Sequence, residues 1–188
     1  MEKNRLEAFS DGVLAIIITI MVLEFDLPDG DKLADILKSW ETVFSYLISF
    51  FFIAIYWVNH HYMMHSVKTV NNKILWCNII WLFVMSFIPF CTAWVGKYPT
   101  SFAPLAVYFV DMFLACISFH LMYYFVVKEI DENILFKLGP RSIISIITYF
   151  LAAVLGGFAP FVTYAAVILV SLSWAIPHKT KGKELYFD

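Results

Sequence analysis

Three long runs of this chain contain no Asp, Glu, Lys or Arg, and they constrain the fold more than any other feature. Thr42–Met64 and Ile74–Gly96 hold 23 residues each, and 36 uncharged residues extend from Ser142 to Pro177. About 20 apolar residues in a helix cross the hydrocarbon core of a bilayer, so the first two runs are each long enough for one crossing. The third run, with glycines and a proline in its middle, suits two short helices. The sequence therefore predicts an all-α integral membrane protein.

Composition excludes several other classes of protein. Of the 188 residues, 61% are hydrophobic and 15% are charged, which is more apolar surface than a soluble domain of this size buries. The net charge of -2 comes without a basic patch, so nucleic-acid binding is not expected. Metalloprotease, serine hydrolase and phosphate-loop motifs are absent, and the three cysteines lack metal or redox spacing. We therefore expect a protein that is not an enzyme and holds no cofactor or metal.

Hydropathy predicts a single membrane domain, residues 1–188, with six transmembrane helices. The predicted spans are about 6–27, 42–64, 74–96, 103–127, 142–157 and 160–177. An acidic linker, Glu24–Glu41, follows the first span, and Pro28 is the expected end of that helix. Pro89 should kink the third span or end its regular part.

The positions of Lys and Arg predict the orientation, because these residues accumulate in cytoplasmic loops. With the N-terminus inside, ten of the 13 basic residues lie in inner segments. The outer three are Lys32, Lys38 and Lys97. We expect a multi-pass protein of the cell membrane with both termini cytoplasmic and the acidic linker outside.

The first span is short and has an acidic residue at each end. Asp11 and Glu24 enclose twelve uncharged residues. These cover roughly 18 Å of helix, against about 30 Å of bilayer hydrocarbon. Such a helix suits the middle of a bundle, where water reaches it from both ends, better than a surface that faces lipid. This makes the first helix a candidate pore lining.

Helical spacing separates the apolar residues of the first span from its carboxylate. At about 100° per residue, Ile16, Ile20 and Leu23 fall within one narrow stripe, beside Thr19. Asp11 falls on roughly the opposite side. If the stripe faces a symmetry axis, Asp11 faces the outer helices of its own subunit and forms no ring of charge in the pore.

The topology supplies partners for Asp11. A carboxylate at membrane depth costs at least ~2.5 kcal/mol unless it is paired, and His, Asn and indole groups can donate to it. The candidate donors lie at the cytoplasmic ends of spans two and three, and they are Trp57, Asn59, His60, His61, Asn71, Asn72, Trp76 and Asn78. We expect a polar brace that joins the first helix to the next two.

Two other functions use some of the same polar residues. A proton- or cation-coupled secondary transporter would use Asp11, Asp111 and the pair His60/His61 as a relay. An intramembrane metalloenzyme would use His60, His61 and His65, although two imidazoles one turn apart without a placed carboxylate or thiolate are a weak metal signal. Asp111 is interpreted first as a residue that hydrogen-bonds between helices.

Motifs in the first half of the chain resemble a known family. They are Arg5-x-x-x-Phe9-Ser10-Asp11, Gly12-Val13-x-Ala15-Ile16, Ile18-Thr19-x-x-Val22-Leu23-Glu24, Trp57-x-x-His60-His61, Asn72-x-x-Leu75-x-x-Asn78 and Pro89-Phe90-x-Thr92. In order and spacing they resemble the transmembrane protein 175 family of potassium-permeable channels. One set of motifs in a six-span chain is similar to the prokaryotic single-repeat form. Leu14, Ile20 and Tyr62 depart from the residues usual in the family.

The resemblance implies a homotetramer with the first helix of every subunit around a central pore. It implies a pore constriction at Ile16, Ile20 and Leu23 and a role in selectivity for Thr19. It also implies a structural network, whose members are Arg5, Phe9, Ser10, Asp11, Trp57, His60, His61 and Asn78. The partners would be potassium and other monovalent cations, membrane lipid and identical subunits.

The function predicted from these observations is a potassium-permeable cation channel with a hydrophobic gate. Since the sequence has no glycine-rich carbonyl filter, selectivity for potassium over sodium should be modest. Glu24 and Asp26 at the outer mouth should raise the local concentration of cations.

Overall fold

The protein is all-helical in the part of the chain that the computed structural model describes, residues 2–25, 27, 30–32, 35, 37–133 and 135–175. The helices are α1 (Lys3–Leu23), α2 (Trp40–His65), α3 (Asn72–Met85), α4 (Ile88–Lys97), α5 (Phe102–Ile130), α6 (Pro140–Leu155) and α7 (Pro160–Ser173), and a 3₁₀ turn, Leu37–Ser39, precedes α2.

Four stretches are long and apolar enough to cross a membrane, namely α1, α2, the pair α3–α4 and α5. The chain is therefore a multi-pass membrane protein. α6 and α7 are apolar but shorter, with 16 and 14 residues. That each of these two also crosses the membrane stays a prediction.

α1 ends at Leu23, four residues before the end of the predicted first span. Acidic residues at a helix C-terminus oppose the helix dipole, and Glu24 and Asp26 stand at this end. Pro28, the expected stop, and Asp26 lie outside the described residues.

The third predicted span is interrupted between Met85 and Ile88. A proline ring clashes with the carbonyl group four residues earlier and offers no N–H to it. For Pro89 that carbonyl belongs to Met85, where α3 ends. The break therefore begins one turn before the proline, and Pro89 lies in the first turn of α4, where a proline is well tolerated.

α5 forms the centre of the helical bundle, and α1 lies at its edge. α5 packs against α2, α3, α4 and α6, and α7 packs against α2 and α6. α1 packs against α2, α3 and α4 through one face. Its other face is not covered by any of the described residues.

An aromatic cluster joins α2, α3 and α5 near the N-terminal half of α1. The rings of Tyr56, Trp81 and Phe119 have centroids 5.0 to 6.1 Å apart. The His60 ring stacks on Trp81, with centroids 5.1 Å apart and planes at 12°. Packing of this kind replaces the hydrophobic effect as the source of helix association inside a membrane. The cluster also fixes the direction of the His60 side chain.

Candidate ion pathway along the first helix

α1 has one packed face and one open face. The residues of the packed face are Leu6, Ser10, Leu14, Ile17 and Met21, each at most 4% exposed. Ile16, Ile20 and Leu23 are 58%, 40% and 80% exposed. The stripe anticipated from helical spacing therefore lies on the open face, where no residue of the described ranges covers it fully.

Thr19 lies on the same open face, and its hydroxyl group is oriented by its own helix. The hydroxyl oxygen is 3.0 Å from the carbonyl oxygen of Ala15 and 3.0 Å from that of Ile16, and it donates toward them. Because a hydroxyl has one hydrogen, the lone pairs are left to point outward. The open face thus presents an oxygen acceptor among aliphatic side chains, which suits a cation.

Asp11 is joined to α2 by a hydrogen bond. The indole nitrogen Nε1 of Trp57 donates to the Asp11 carboxylate at 2.8 Å. Among the candidate donors in the described part of the chain, Trp57 is the one that bonds Asp11. The hydrogen bond links the two helices near the cytoplasmic ends that the sequence predicts for them.

Ser10, Asn78 and His60 form a second connection, buried between α1, α2 and α3. The amide nitrogen of Asn78 donates to the Ser10 hydroxyl at 2.9 Å. The amide oxygen of Asn78 is 2.8 Å from His60 Nε2, which must carry the proton in this contact. The Ser10 hydroxyl in turn donates to the Leu6 carbonyl oxygen at 2.9 Å. All three side chains are at most 1% exposed.

Other members of the predicted network are not brought into it by hydrogen bonds. Phe9 is 54% exposed on the open face. The structure places no hydrogen-bond or ion-pair partner at the Arg5 side chain within residues 2–25, 27, 30–32, 35, 37–133 and 135–175. His61 stacks between Trp57 and His65, with ring centroids 6.5 and 6.4 Å away. Their functional roles stay predictions.

The C-terminal half of α1 borders an open groove. Its lining comes from α1 and from the α3–α4 break, and it consists of Val13, Ile16, Ile17, Ile20, Glu24, Ser86, Pro89 and Phe90. Glu24 is exposed directly after the last turn of α1. Asp26, the second predicted mouth residue, lies outside the described residues.

The histidines do not form a metal site in the described structure. No group of three or more His, Cys, Asp or Glu side chains there could hold a metal ion. His60 points inward to Asn78, whereas His61 and His65 are exposed on the surface of α2. The divergence follows from helix geometry, because consecutive residues point about 100° apart.

Asp111 lies on α5, outside the contacts of α1. It is 8% exposed, and its Oδ2 has no hydrogen-bond partner among the residues described. It makes no hydrogen bond to Asp11, His60 or His61 in that part of the chain, so no continuous relay joins these groups there. The sequence suggested that Asp111 hydrogen-bonds between helices, but the structure contains no such bond within its described residues.

Sequence reasoning missed a buried group of hydroxyls behind the C-terminal half of α1. Ser49 on α2, Thr92 on α4 and Tyr108 on α5 lie together, and Thr92 contacts Met21. Hydroxyl residues within apolar runs were the available signal. The pattern of one run does not reveal which hydroxyls of separate runs meet.

The comparisons with known proteins agree with this architecture. Residues 5–89 match the family model for the endosomal/lysosomal potassium channel TMEM175. A potassium channel of Chryseobacterium sp. (strain P1-3) is 39% identical over 189 residues, covering 98% of this chain and 98% of the relative. A potassium channel of Streptomyces collinus is 32% identical over 131 residues, covering 65% and 64% of the two chains.

A solved structure has the same fold. It is the crystal structure of a lysosomal potassium-selective channel TMEM175 homolog from Chamaesiphon minutus, which is 25% identical and superimposes with a TM-score of 0.79. The match covers 92% of this chain and 96% of that one. The resemblance carried by the motifs is thereby confirmed, and the matched proteins are ion channels and not enzymes. The chain belongs to the TMEM175 family of ion channels, in its prokaryotic form.

Proposed function

We propose that four copies of this chain form a potassium-permeable cation channel, with α1 of every copy around one central pathway. Ile16, Ile20 and Leu23 would form successive constricting rings. The observation that carries the proposal is the open face of α1, where this stripe and Thr19 lie opposite the residues that pack against the subunit. Relatives that are named potassium channels support potassium as the permeant ion.

The polar groups of α1 favour a water-filled axis over lipid as the neighbour of the open face. Asp11 and Thr19 are both exposed in the single subunit. A charged side chain in contact with the bilayer centre costs at least ~2.5 kcal/mol, so such residues line aqueous cavities or protein interfaces. In a fourfold arrangement, Thr19 would lie beside the pathway, and Asp11, bonded to Trp57 of its own subunit, would lie on the side of α1 away from the stripe.

The proposed mechanism is hydrophobic gating. Rings of aliphatic side chains exclude water when they are close together, and ions cannot pass a dry segment. Separation of the helices wets the constriction, and a partly hydrated cation then passes. Selectivity for potassium over sodium would be modest and would favour the ion that sheds its water more easily.

Thr19 and the acidic mouth would assist cations at two points. The outward lone pairs of the Thr19 hydroxyl would replace part of the ion's hydration next to the constriction. Glu24, together with Asp26, would raise the cation concentration at the outer entrance. Both effects concern monovalent cations.

In the proposed arrangement, six transmembrane helices form one domain in the cell membrane. Both termini lie in the cytoplasm. The predicted excess of inner basic residues supports this orientation. A reporter fused to the C-terminus should be active only in a cytoplasmic assay. An external C-terminus would contradict the orientation.

Replacement of a stripe residue tests the pathway. Ile20→Ala should widen the constriction and raise the unitary conductance of the reconstituted protein, with weaker discrimination between potassium and sodium. Ile147→Ala is the matched control, because Ile147 is 52% exposed on α6, away from α1. Conductance and selectivity that are equal in both variants and in the wild type would argue against the proposed pathway.

A coupled transporter is the second candidate, favoured by the buried Asp111 carboxyl, whose Oδ2 has no hydrogen-bond partner among the described residues. A channel passes current in proportion to the driving force, whereas a carrier saturates. Potassium flux into liposomes, measured with a proton uncoupler, distinguishes the channel from the carrier. A channel conducts potassium without transporting protons itself. Saturating, proton-dependent flux would support the transporter.

A further inference from the structure

Three hydroxyl groups meet behind the outer half of α1, and we call Ser49, Thr92 and Tyr108 the hydroxyl cluster. The hydroxyl oxygens of Thr92 and Ser49 are 2.7 Å apart, and those of Ser49 and Tyr108 are 2.8 Å apart. Ser49 lies on α2, Thr92 on α4 and Tyr108 on α5. Their exposed fractions are 0%, 3% and 1%, respectively, so water does not compete for these bonds.

The hydroxyl cluster forms one chain of hydrogen bonds that ends on the backbone. The Thr92 hydroxyl is also 2.7 Å from the carbonyl oxygen of Ile88, in the first turn of α4. Each hydroxyl has one hydrogen and two acceptor positions, so a chain of this kind satisfies all of its members. Removal of one member leaves a buried partner unpaired, which is more costly than the loss of an exposed bond. The cluster therefore fixes α2, α4 and α5 relative to one another.

Thr92 connects the hydroxyl cluster to α1. Its Oγ1 lies 3.7 Å from Sδ of Met21, which is 1% exposed. Because the single hydroxyl hydrogen of Thr92 points to the Ile88 carbonyl oxygen, this is a packing contact of the oxygen against the sulfur. Within the described residues, it joins the outer half of α1, residues 13–23, to the hydroxyl cluster. Met21 directly follows Ile20 and precedes Leu23 by two positions. It points away from the open face that carries them.

We propose that Thr92, held in place by Ser49 and Tyr108, is a positioning residue for the outer part of the pore constriction. This rests on the proposed function. Because Met21 packs on the side of α1 away from the pathway, its contact with Thr92 keeps Ile20 and Leu23 back from the pore axis. Apolar rings in water attract one another, so a released outer half moves inward and the constriction dries more readily.

The decisive experiment compares two buried tyrosines. Tyr108→Phe removes a hydroxyl of the cluster and keeps the ring. Tyr149→Phe is the matched control, because the Tyr149 hydroxyl is equally buried and lies 2.9 Å from the Ser171 hydroxyl, between α6 and α7. Single-channel recording gives the ratio of open to closed times, which does not depend on how much protein folds. We expect this ratio to fall roughly fivefold in Tyr108→Phe and to keep its wild-type value in Tyr149→Phe.

Variants at Thr92 provide a second measurement that separates positioning from general stability. Thr92→Val removes the hydroxyl with little change of shape and should lower the open-to-closed ratio as Tyr108→Phe does. Thr92→Ser keeps the hydroxyl and should restore the ratio. A wild-type ratio in both Tyr108→Phe and Thr92→Val overturns the proposal, as does an equal fall in both tyrosine variants. A wild-type protein that carries no potassium current would instead overturn the proposed function.

Discussion

The two halves of α1 are attached to the other helices by different kinds of interaction. We call residues 3–12 the inner half and residues 13–23 the outer half, after the orientation proposed above. The inner half holds two side chains that bond to other helices, Ser10 to Asn78 at 2.9 Å and Asp11 to Trp57 at 2.8 Å. The outer half packs through aliphatic side chains and has the sulfur contact of Met21 with Thr92 at 3.7 Å. Directional hydrogen bonds therefore hold the inner half in place, whereas packing of apolar side chains mainly holds the outer half.

This difference has a mechanical consequence. A hydrogen bond weakens steeply when its geometry changes, so the buried bond of Ser10 and the exposed bond of Asp11 fix the depth and rotation of the inner half. Dispersion contacts are weaker singly and survive small sliding movements. Ile20 and Leu23 lie on the half that moves more easily. The comparison predicts that gating displaces the outer half of α1 about a fixed inner end.

The largest expected effect is at Asn78, which joins Ser10 to His60. Asn78→Ala leaves two buried polar side chains without their partner, and we expect the free energy of unfolding to fall by about 3 kcal/mol. Thermal unfolding in detergent measures it. Asn72→Ala is the control, because Asn72 is exposed at the start of α3. Equal melting temperatures for the two variants would contradict the claim that buried hydrogen bonds hold the inner half more firmly than the outer half.

Asp111 should show an effect of opposite sign. Asp111→Leu replaces a buried carboxyl that has no partner for Oδ2 in the described structure, and we expect stability to rise by about 2 kcal/mol. Unitary conductance should stay at the wild-type value, because Asp111 makes no hydrogen bond to α1 there. Loss of potassium transport with a stable fold would favour the coupled transporter.

Trp57 tests the exposed bond of the inner half. Trp57→Phe keeps an aromatic ring and removes the donor to Asp11, so stability should fall by about 1 kcal/mol. Trp76→Phe should change it less, since Trp76 is 62% exposed and its indole donates no hydrogen bond within the described residues. Melting curves of the two variants measured side by side check this. A larger loss in Trp76→Phe would contradict the assigned role of the bond.

The smallest effect is expected at Met21. Met21→Leu conserves volume, so the loss of stability should be well below about 1.5 kcal/mol. The same substitution should still alter the open-to-closed ratio, because the contact with the Thr92 hydroxyl is lost. A loss of stability as large as that of Asn78→Ala would show that the outer half is attached as firmly as the inner half.

Local sequence patterns predicted much of the architecture. Helical spacing showed which residues of α1 share a face, and the length of the uncharged runs showed where long apolar helices lie. Pro89 predicted the break of the third span, although the break begins at Met85 because the proline ring acts one turn back. For Asp11, the sequence limited the candidate hydrogen-bond donors to the predicted cytoplasmic ends of spans two and three.

The contacts between distant runs could not be predicted in the same way. The hydrogen bond between Ser49 and Thr92 joins residues 43 positions apart in the sequence, and the bond between Ser49 and Tyr108 joins residues 59 positions apart. Their meeting depends on the rotation of three helices, which no single run determines. The inward direction of His60 likewise depends on Trp81, against which its ring stacks.

Thiol labelling during current recording tests most directly whether the open face of α1 lines the pathway. Cysteine introduced at Ile16, Ile20 or Leu23 should make the potassium current sensitive to a water-soluble thiol reagent. Ile17→Cys, on the packed face, should stay insensitive, as should the wild type, whose cysteines are buried. Sensitivity at Ile17 with none at the three stripe positions would contradict the proposed pathway.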